Sequence, residues 1–351
     1  MKILLALPIF VTLSCAKISY IVEQGKGQFN LLSDARKNDE LLNDPNVSEE
    51  HKEKVKKIQV YKKFFYKFWE KEENGIYSKT TILKNKAVTY LLISSKFNEI
   101  KAREECFPFV GCFPYIGFFN LDSAKEYERK LLEGDYVTYI RPVYAYSTLG
   151  NFEDPILSSF FYYDDFDLAE VVFHELFHTI FFIKNEVDLN ENLANFFGKE
   201  MTLLYFKDRL DIIKQKQKLV EDGNKIREKM VALTGRIKTQ FEKTPPKDKS
   251  SAQSEFKTFL NGSFYPEFRK FCANQKIKNC FPLKRDWNNA SFAAYLTYEK
   301  SSQQILQLKD KYQLGIKSLF GHIQKRYDDF KKQDEIDSFE TYLFGEVKSG
   351  D

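Results

Sequence analysis

The feature that most constrains this chain is an apolar run from Leu168 to Ile183 that contains the motif HELFH. The run leaves hardly any polar face, so a helix formed here must be buried. His174 and His178 flank Glu175 at a spacing of four, which places both imidazoles on one helix face. Burying two imidazoles and a carboxylate is costly unless they are paired or bind a metal. The motif therefore predicts a zinc site with Glu175 facing the water, against the alternative of a chance match in an ordinary core.

A catalytic zinc needs three protein ligands and an open fourth position. The chain has four histidines, and the other two, His51 and His322, lie in strongly charged segments and are expected at the surface. Glu191, thirteen residues after His178, is the better candidate. We therefore predict one Zn²⁺ per chain, bound by His174, His178 and Glu191, with Glu175 as general base.

The role of Glu191 has two interpretations. A short turn after the motif would return the next helix against the first, and Ala194, Asn195 and Gly198 are small enough to permit close approach. Alternatively, Asp188-x-x-Glu191 is a capping-box pattern that would place Glu191 in the first turn of a helix. We prefer the ligand interpretation because the histidine pair otherwise lacks a third ligand nearby.

The N-terminus has the features of an export signal: Lys2, an apolar run over 3–13 and then Ser14-Cys15. The run is too short to span a bilayer, which takes about 20 apolar residues. A cysteine at this place is similar to the lipobox of bacterial lipoproteins, although Thr12 stands where an aliphatic residue is usual. We expect residues 1–15 to be a signal peptide and Cys15 to be lipidated, anchoring an exported protein to a membrane of the cell envelope. Plain secretion and an uncleaved anchor are the alternatives.

The remaining cysteines and the net charge agree with an exported protein that does not bind nucleic acid. An even number of cysteines in two locally spaced pairs predicts disulfides, with free buried thiols as the alternative; the four are Cys106, Cys112, Cys272 and Cys280. The chain has 54 Lys+Arg against 50 Asp+Glu, a formal net charge of +4. Because the basic residues are scattered, no nucleic-acid partner is expected.

The hydrophobic patterns predict an α+β fold that is mostly helical, with a small sheet followed by a helical body. Strands are expected at 87–94 and 136–143, within a strand-bearing part of about 76–148. The helical catalytic part covers about 160–347, and 16–351 is expected to form a single domain. The polar segment 17–47 contains Gly25 and Gly27, which argue against a long helix there.

Helix boundaries follow from capping and breaking residues. A helix is expected from Ser48 to about Glu73, and another over 122–133. The motif helix is expected to open with a capping box at Asp167-x-x-Glu170 and to end near Lys184. Further helices are predicted from 188 to 242 with a break, and then at 252–274, 286–299, 301–331 and 336–347.

Several short strings resemble one family closely. HExxH followed by Asn190-Glu191-x-x-Ala resembles the glutamate zincins, whose third zinc ligand is that glutamate. The chain is similar, over most of its length, to predicted aminopeptidases that are bacterial envelope lipoproteins. The strings that carry this resemblance are Cys106-Phe107-Pro108, Gly111-Cys112, AYSTLG at 145–150, Asp154-Pro155 and Asn288-Asn289-Ala290. Asn151 and an expanded loop at 242–256 depart from the family pattern, which affects substrate preference.

The resemblance implies a zincin-like fold and a zinc metallopeptidase that removes N-terminal residues from peptide substrates. Its oxyanion would need a donor besides zinc, and the candidates are Tyr144, Tyr146, Tyr295 and Tyr298. Asn288 and Asn289 are substrate-positioning candidates, although an Asn pair is equally typical of a helix cap. Asp154 is available to bind a free α-amine. The alternatives are an endopeptidase of the same mechanism and a non-catalytic envelope lipoprotein with a structural metal; the sequence does not fix the oligomeric state.

Overall fold

A computed structural model describes residues 15–107, 111–145, 153–184, 186–297, 302–333 and 338–345. The helices are α1 Cys15–Ser33, α2 Asn38–Leu42, α3 Glu49–Trp69, α4 Leu121–Glu133, α5 Asp165–Ile180, α6 Val187–Tyr205, α7 Leu210–Lys243, α8 Lys249–Phe259, α9 Tyr265–Asn274, α10 Asn289–Thr297, α11 Ser302–Tyr312, α12 Ile316–Phe330 and α13 Phe339–Gly345. The strands are β1 Arg36–Lys37, β2 Lys79–Thr81, β3 Thr89–Lys96, β4 Glu105–Phe107, β5 Gly111–Phe113, β6 Ile116–Phe118, β7 Tyr136–Val143 and β8 Ile156–Leu157. The predicted mostly helical α+β architecture is confirmed.

The strands form three small sheets. In the largest, β3 is central and pairs antiparallel with β6 and β7, with Thr89 opposite Val143 and Lys96 opposite Tyr136. A second sheet has the order β1-β2-β8, in which β2 and β8 are parallel. The third is the β4–β5 hairpin. Because β1 and β8 lie outside 76–148, the predicted limits of the strand-bearing part were too narrow.

The segment after the predicted signal differs from the expectation. It forms helix α1 despite its two glycines, so the prediction of no long helix in 17–47 was wrong. A Cβ on Gly27 would lie 2.2 Å from the ring of Phe119, so this glycine is needed for close packing. The predicted signal peptide falls on residues 1–14, outside the described residues, and on Cys15. None of the described helices is both long and apolar enough to cross a membrane.

The motif helix also has different ends from those predicted. Asp164 caps α5 by accepting a hydrogen bond from the backbone N of Asp167 at 2.9 Å, so the capping box predicted at Asp167 is wrong. The helix ends at Ile180 because Phe181 is extended, with φ −153°. The prediction of a break within 188–242 is confirmed, since α6 ends at Tyr205 and α7 begins at Leu210.

The buried apolar residues form three clusters. The first core joins α3, α5 and α6 with the C-terminal helices α11–α13, and includes Phe65, Phe173, Phe177, Phe197 and Phe320. The second core lies among α7–α10 and includes Met230, Phe264, Phe268, Trp287 and Phe292. A small third core packs α4 on the β6-β3-β7 sheet. The single peptidase domain over 16–351 stays a prediction.

Candidate metal centre

Helices α5 and α6 run antiparallel and pack closely enough to share a site. A Cβ built on Gly198 would lie 3.0 Å from the backbone N of His174 and 3.2 Å from the carbonyl oxygen of Glu170. No side chain fits between the two backbones at this point. The close approach that the small residues of α6 predicted is therefore present, and it brings the early turns of α6 to the histidine face of α5.

The turn between the two helices is held by one buried amide. Asn190 is 2% exposed. Its Oδ1 accepts a hydrogen bond from the backbone N of Ile183 at 2.9 Å, and its Nδ2 donates to the carbonyl oxygen of Ile183 at 2.7 Å. These two hydrogen bonds fix the start of α6 against the end of α5. It thereby fixes Glu191, the next residue.

The three predicted ligands converge at this point. The Nε2 atoms of His174 and His178 are 3.3 Å apart. Each lies 3.4 Å from one carboxylate oxygen of Glu191. The three ligand atoms lie within 4.8 Å of one another and form a group that could hold a metal ion. Helix α6 begins at Val187 without a side-chain cap, so the alternative of Glu191 in a capping box is wrong.

The carboxylate of Glu191 and the two imidazoles stabilise one another's charged forms. Burial acts to raise the pKa of Glu191, but hydrogen bonds from His174 and His178 hold it well below its usual range. Burial acts to lower the pKa of His174, but Glu191 and the charge of Glu175 outweigh it and the pKa is raised. The side chain of Asn195, on α6, also hydrogen-bonds His174. Such outer partners orient metal-ligating imidazoles.

The cluster has the donor set and the access that a catalytic zinc requires. Two imidazole nitrogens and one carboxylate oxygen leave a fourth tetrahedral position open. The side chain of His178 is 1% exposed, whereas that of His174 is 17% and that of Glu191 is 40% exposed. The cluster is therefore most exposed at Glu191, and a bound ion would be reached from solvent there. His178 Nδ1 is buried without a hydrogen-bond partner among the described residues, which is unfavourable for a ring nitrogen.

Glu175 lies on the protein side of this cluster. It is 7% exposed and adjoins the first core. Burial is the main cause that raises the pKa of Tyr77 and of Tyr163, and the charge of Glu175 raises both pKa values further. Asp154, which is 3% exposed, also acts on Tyr77. A buried carboxylate next to the histidine pair, within electrostatic range of two tyrosines, has surroundings that suit a general base.

The other predicted site residues have more varied positions. Tyr144 lies near Tyr163, whose pKa responds to the charges of both Tyr144 and Glu175. Tyr295 packs in the second core, with its ring centroid 6.4 Å from that of Trp287. Tyr146 and Tyr298 lie outside the described residues.

The two asparagines are committed to the backbone. Asn288 exchanges hydrogen bonds with Ser291 at 2.8 Å, which is a helix cap, and donates to the carbonyl oxygen of Thr138 at 2.9 Å. Asn289 donates to the carbonyl oxygens of Phe97 at 2.7 Å and Glu99 at 3.0 Å. The described contacts of both residues therefore tie α10 to the β3–β7 region and do not reach the histidine cluster.

The remaining polar candidates lie elsewhere. The His51 ring packs at a tilt of 44° against Phe161, with ring centroids 4.8 Å apart, and both His51 and His322 are half-buried rather than exposed. The two predicted disulfides are present, Cys106–Cys112 and Cys272–Cys280. A second acidic and cysteine cluster includes Glu104, but its sulfurs are those of the first disulfide and are not free to bind metal.

Sequence reasoning did not identify Tyr77 and Tyr163, and it chose Asn195 for its size rather than for its bond to His174. The tyrosines belong to a loop and to the end of a short helical turn, without a recognisable motif. A signal for Asn195 was available, because it lies four residues after Glu191 and so on the same face of α6.

Comparison with known proteins identifies a family over nearly the whole chain. The family described as "Putative aminopeptidase" matches residues 19–336, a range that includes the histidine motif, Glu191 and both disulfides. No curated protein and no solved structure matches the chain. Because the match covers far more than half of the sequence, the chain belongs to the putative aminopeptidase family.

Proposed function

We propose that this protein is a zinc-dependent metallopeptidase that acts as an aminopeptidase. The observation that carries the proposal is the convergence of His174, His178 and Glu191, with Glu175 next to it, in a member of an aminopeptidase family. The antiparallel pair α5 and α6, with the glutamate on the second helix, supports a zincin-like fold of the glutamate type. Two nitrogen donors and one carboxylate match a catalytic zinc better than a closed structural site, which normally has four protein ligands.

The chain's own residues would perform the proton transfers. When bound, the ion supplies Lewis-acid polarisation of the scissile carbonyl and acidifies a water molecule, in the best cases to a pKa of about 7. Glu175 accepts the proton of the attacking water and then delivers it to the leaving amine. His174, His178 and Glu191 keep their places through the Asn190 clamp and the Gly198 contact, so little reorganisation is needed. Tyr144 and Tyr146 are proposed donors to the oxyanion.

The decisive test combines metal analysis with one active-site substitution. We expect the purified protein to contain one zinc per chain, and His174→Ala or Glu191→Ala to lose it. Glu175→Gln should keep the zinc and lower kcat by about 10²–10⁴-fold on peptides. A Glu175→Gln protein that keeps both zinc and full turnover would exclude catalysis through this residue. An unaltered protein with bound zinc and no turnover would favour a structural metal in a non-catalytic protein.

The choice between exopeptidase and endopeptidase requires a separate experiment. An aminopeptidase must recognise a free α-amine, and Asp154 is the proposed carboxylate for this purpose. Asp154 is buried, and its charge, like that of Glu175, acts to raise the pKa of Tyr77, which supports the assignment. Paired peptides with free and acetylated N-termini give the test. Equal cleavage of both would leave an endopeptidase as the function.

We further propose that the protein is exported and anchored in the cell envelope by a lipid on Cys15. The apolar leader and the two disulfides support export, because disulfides persist in oxidising compartments. Metabolic labelling with an alkyne fatty acid should mark the unaltered protein and not the Cys15→Ser variant. Equal labelling of both proteins would remove Cys15 as the lipid site.

A further inference from the structure

Helix α1 has apolar residues on two opposite faces, and the protein covers one of them. On the covered face, the rings of Tyr20 and Phe118 have centroids 5.4 Å apart, and Gly27 lies against the ring of Phe119. Leu31, on the same face, is buried in the first core. Because positions 20, 27 and 31 are separated by seven and four residues, they share one side of the helix. This side fixes α1 to the rest of the fold.

The opposite face of α1 is apolar and open. Ile21, Val22 and Phe29 are 50%, 64% and 69% exposed. With about 3.6 residues per turn, these three positions fall within roughly 100° of the helix circumference. Gly25 lies within the same arc, and a Cβ built there would have nothing within 4 Å. This face is therefore not covered by the described part of the protein.

This arrangement differs from the isolated apolar residues that occur on most protein surfaces. Leu219 on α7 is of the isolated kind, with 49% exposure. Its neighbours on the same helix face are polar residues or glycine, namely Gln215, Lys216, Asp222 and Gly223. On α1, by contrast, the exposed apolar residues adjoin one another on a helix whose other face is already packed. A surface helix normally has a polar outer face, so the outer face of α1 requires a partner of its own.

The charges and the position of α1 indicate a lipid surface as this partner. Lys26 is the one ionisable residue among the exposed positions described within 20–33. The acidic residue of this stretch, Glu23, is half-buried, and its Oε1 accepts a hydrogen bond from the backbone N of Asn120 at 3.3 Å. Apolar side chains bordered by a basic residue suit the interface of an anionic bilayer. In addition, α1 begins at Cys15, so the proposed lipid would hold this face next to a membrane.

We propose that α1 is an interfacial membrane helix, in which Ile21, Val22 and Phe29 insert into the surface of an anionic lipid bilayer. In such helices the apolar face lies about 5–10 Å into the boundary between headgroups and acyl chains. A lipid on Cys15 alone would be a flexible tether. Because the other face of α1 is packed on the protein, insertion of α1 would give the whole protein a fixed orientation on the membrane. The inference goes beyond the proposed peptidase function and does not depend on it.

The test measures contact between α1 and acyl chains in the full-length protein. Phe29→Trp and Leu219→Trp each introduce one exposed tryptophan, and the two native tryptophans, Trp69 and Trp287, are buried. Each protein is incorporated into vesicles of phosphatidylcholine and phosphatidylglycerol, with or without bromine on the acyl chains, which quenches tryptophan on contact. The fluorescence of the introduced tryptophan should fall by about half in Phe29→Trp, at the depth expected of an interfacial helix. It should stay unchanged in Leu219→Trp.

Equal fluorescence of Phe29→Trp in plain and brominated vesicles would overturn the proposal. If that unquenched emission is also shifted to the blue, a second copy of the chain or another of its segments covers the face instead. A second comparison adds Gly25→Glu or Gly25→Ala to the Phe29→Trp protein, since both new side chains extend into open space. Gly25→Glu should abolish quenching, because a carboxylate is excluded from acyl chains and repelled by anionic lipid, and Gly25→Ala should retain it. Quenching that persists with Gly25→Glu would exclude contact through this face.

Discussion

The first and second cores are both built from aromatic residues, but they differ in the polar groups that they bury. Around the first core, buried polar residues include Glu175, His178, Asn190 and Thr202. Within the described part of 210–297, the region of α7–α10, the buried polar residues are Thr234, Asn289 and Ser291, and none of them is ionisable. Buried polar groups are costly unless they are hydrogen-bonded or bind a ligand. The polar residues of the first core therefore mark the part of the molecule that contains the candidate metal-binding group.

The two cores are also stabilised differently. The second core contains the Cys272–Cys280 disulfide, which joins the end of α9 to the segment that follows it. In the first core, no disulfide is present among the described residues, and close helix packing at Gly198 takes its place. From this difference we expect damage to the second core to lower stability alone, and damage to the first core to lower stability and metal affinity together.

The largest effect is expected from truncating one large side chain in each core. Phe197 stacks on Phe177 with ring centroids 4.7 Å apart, and Phe264 meets Phe268 at 4.9 Å. Both Phe197 and Phe264 are fully buried, so Phe197→Ala and Phe264→Ala should each lower the free energy of unfolding by about 3–5 kcal/mol. Because Phe197 joins α6 to α5, its loss should also weaken zinc binding. Urea denaturation and zinc titration of each variant measure the two effects. Equal loss of zinc affinity in both variants would contradict the comparison.

A smaller effect is expected when the second core loses its disulfide. The two cysteines are 8 residues apart, and the chain-entropy model gives about 2–3 kcal/mol for a loop of that length. The Cys272→Ser/Cys280→Ser variant should therefore have a lower urea midpoint and an unchanged zinc affinity. Two further samples assign the loss of stability to one disulfide. The reduced unaltered protein lacks both disulfides, and the Cys106→Ser/Cys112→Ser variant lacks only the other one. A loss of zinc in the Cys272/Cys280 variant would show that the two cores depend on each other.

Two glycine-to-alanine substitutions should change the free energy of unfolding in opposite directions. At Gly198, a new Cβ meets backbone atoms of α5, so Gly198→Ala should cost about 1–3 kcal/mol and weaken zinc binding by separating the helices. Gly235 lies in α7 with nothing within 4 Å of a new Cβ. Gly235→Ala should therefore stabilise the protein by about 0.5–1 kcal/mol through helix propensity. Thermal unfolding with and without zinc separates the two variants, and stabilisation by Gly198→Ala would refute the close packing.

The smallest effect is a pH dependence in the metal-free protein. The pKa of His174 is raised from 6.5, so its stabilisation is complete below about pH 6.5 and is lost as the pH rises through the raised value. The pKa of Glu191 is lowered from 4.5, so its stabilisation is complete above that pH and is lost on acidification through the lowered value. Stability should be greatest between these limits. The change is small because the side chain of Glu191 is 40% exposed and water screens the pair.

Urea midpoints of the metal-free protein between about pH 3 and 9, a range that extends to both sides of the ordinary Glu and His pKa values, measure this dependence. Glu191→Gln is the control, since it removes the carboxylate and should flatten the profile above pH 6.5. Zinc affinity should change in the opposite direction and increase with pH, because the ion binds neutral imidazole and protons compete with it. A profile for Glu191→Gln identical to that of the unaltered protein would show that the pair does not stabilise the apo fold.

The parts of the site that could be predicted are those encoded by local spacing. Two histidines four residues apart share a helix face wherever the helix lies, and Glu191 was reachable because only a short turn separates it from the motif. The disulfides were equally local, since each joins cysteines 6 or 8 residues apart. Helix ends were less accurate, because Asp164 and Asp167 both have capping side chains and only the backbone conformation decides between them.

Tyr77 shows what sequence patterns could not provide. Its backbone, at φ 59°, is held by hydrogen bonds with Asn38 and Asp154, which come from two distant places in the chain. Its strained backbone has no signature in composition or periodicity, because a tyrosine in a turn is usually in an ordinary conformation. Helix α1 was missed for a related reason, since Gly27 is tolerated only because Phe119 packs against it.

The sequence by itself determined the candidate metal-binding group, the carboxylate beside it, the disulfide pairs and the mainly helical character, because each follows from side chains within one or two turns of a helix or one short loop. Tertiary structure decided how far the candidate metal-binding side chains are exposed, and it supplied the Asn190 clamp and the Gly198 contact that hold α6 on α5. These features depend on which distant segments are buried together, and burial is set by the packing of the whole chain rather than by any local pattern.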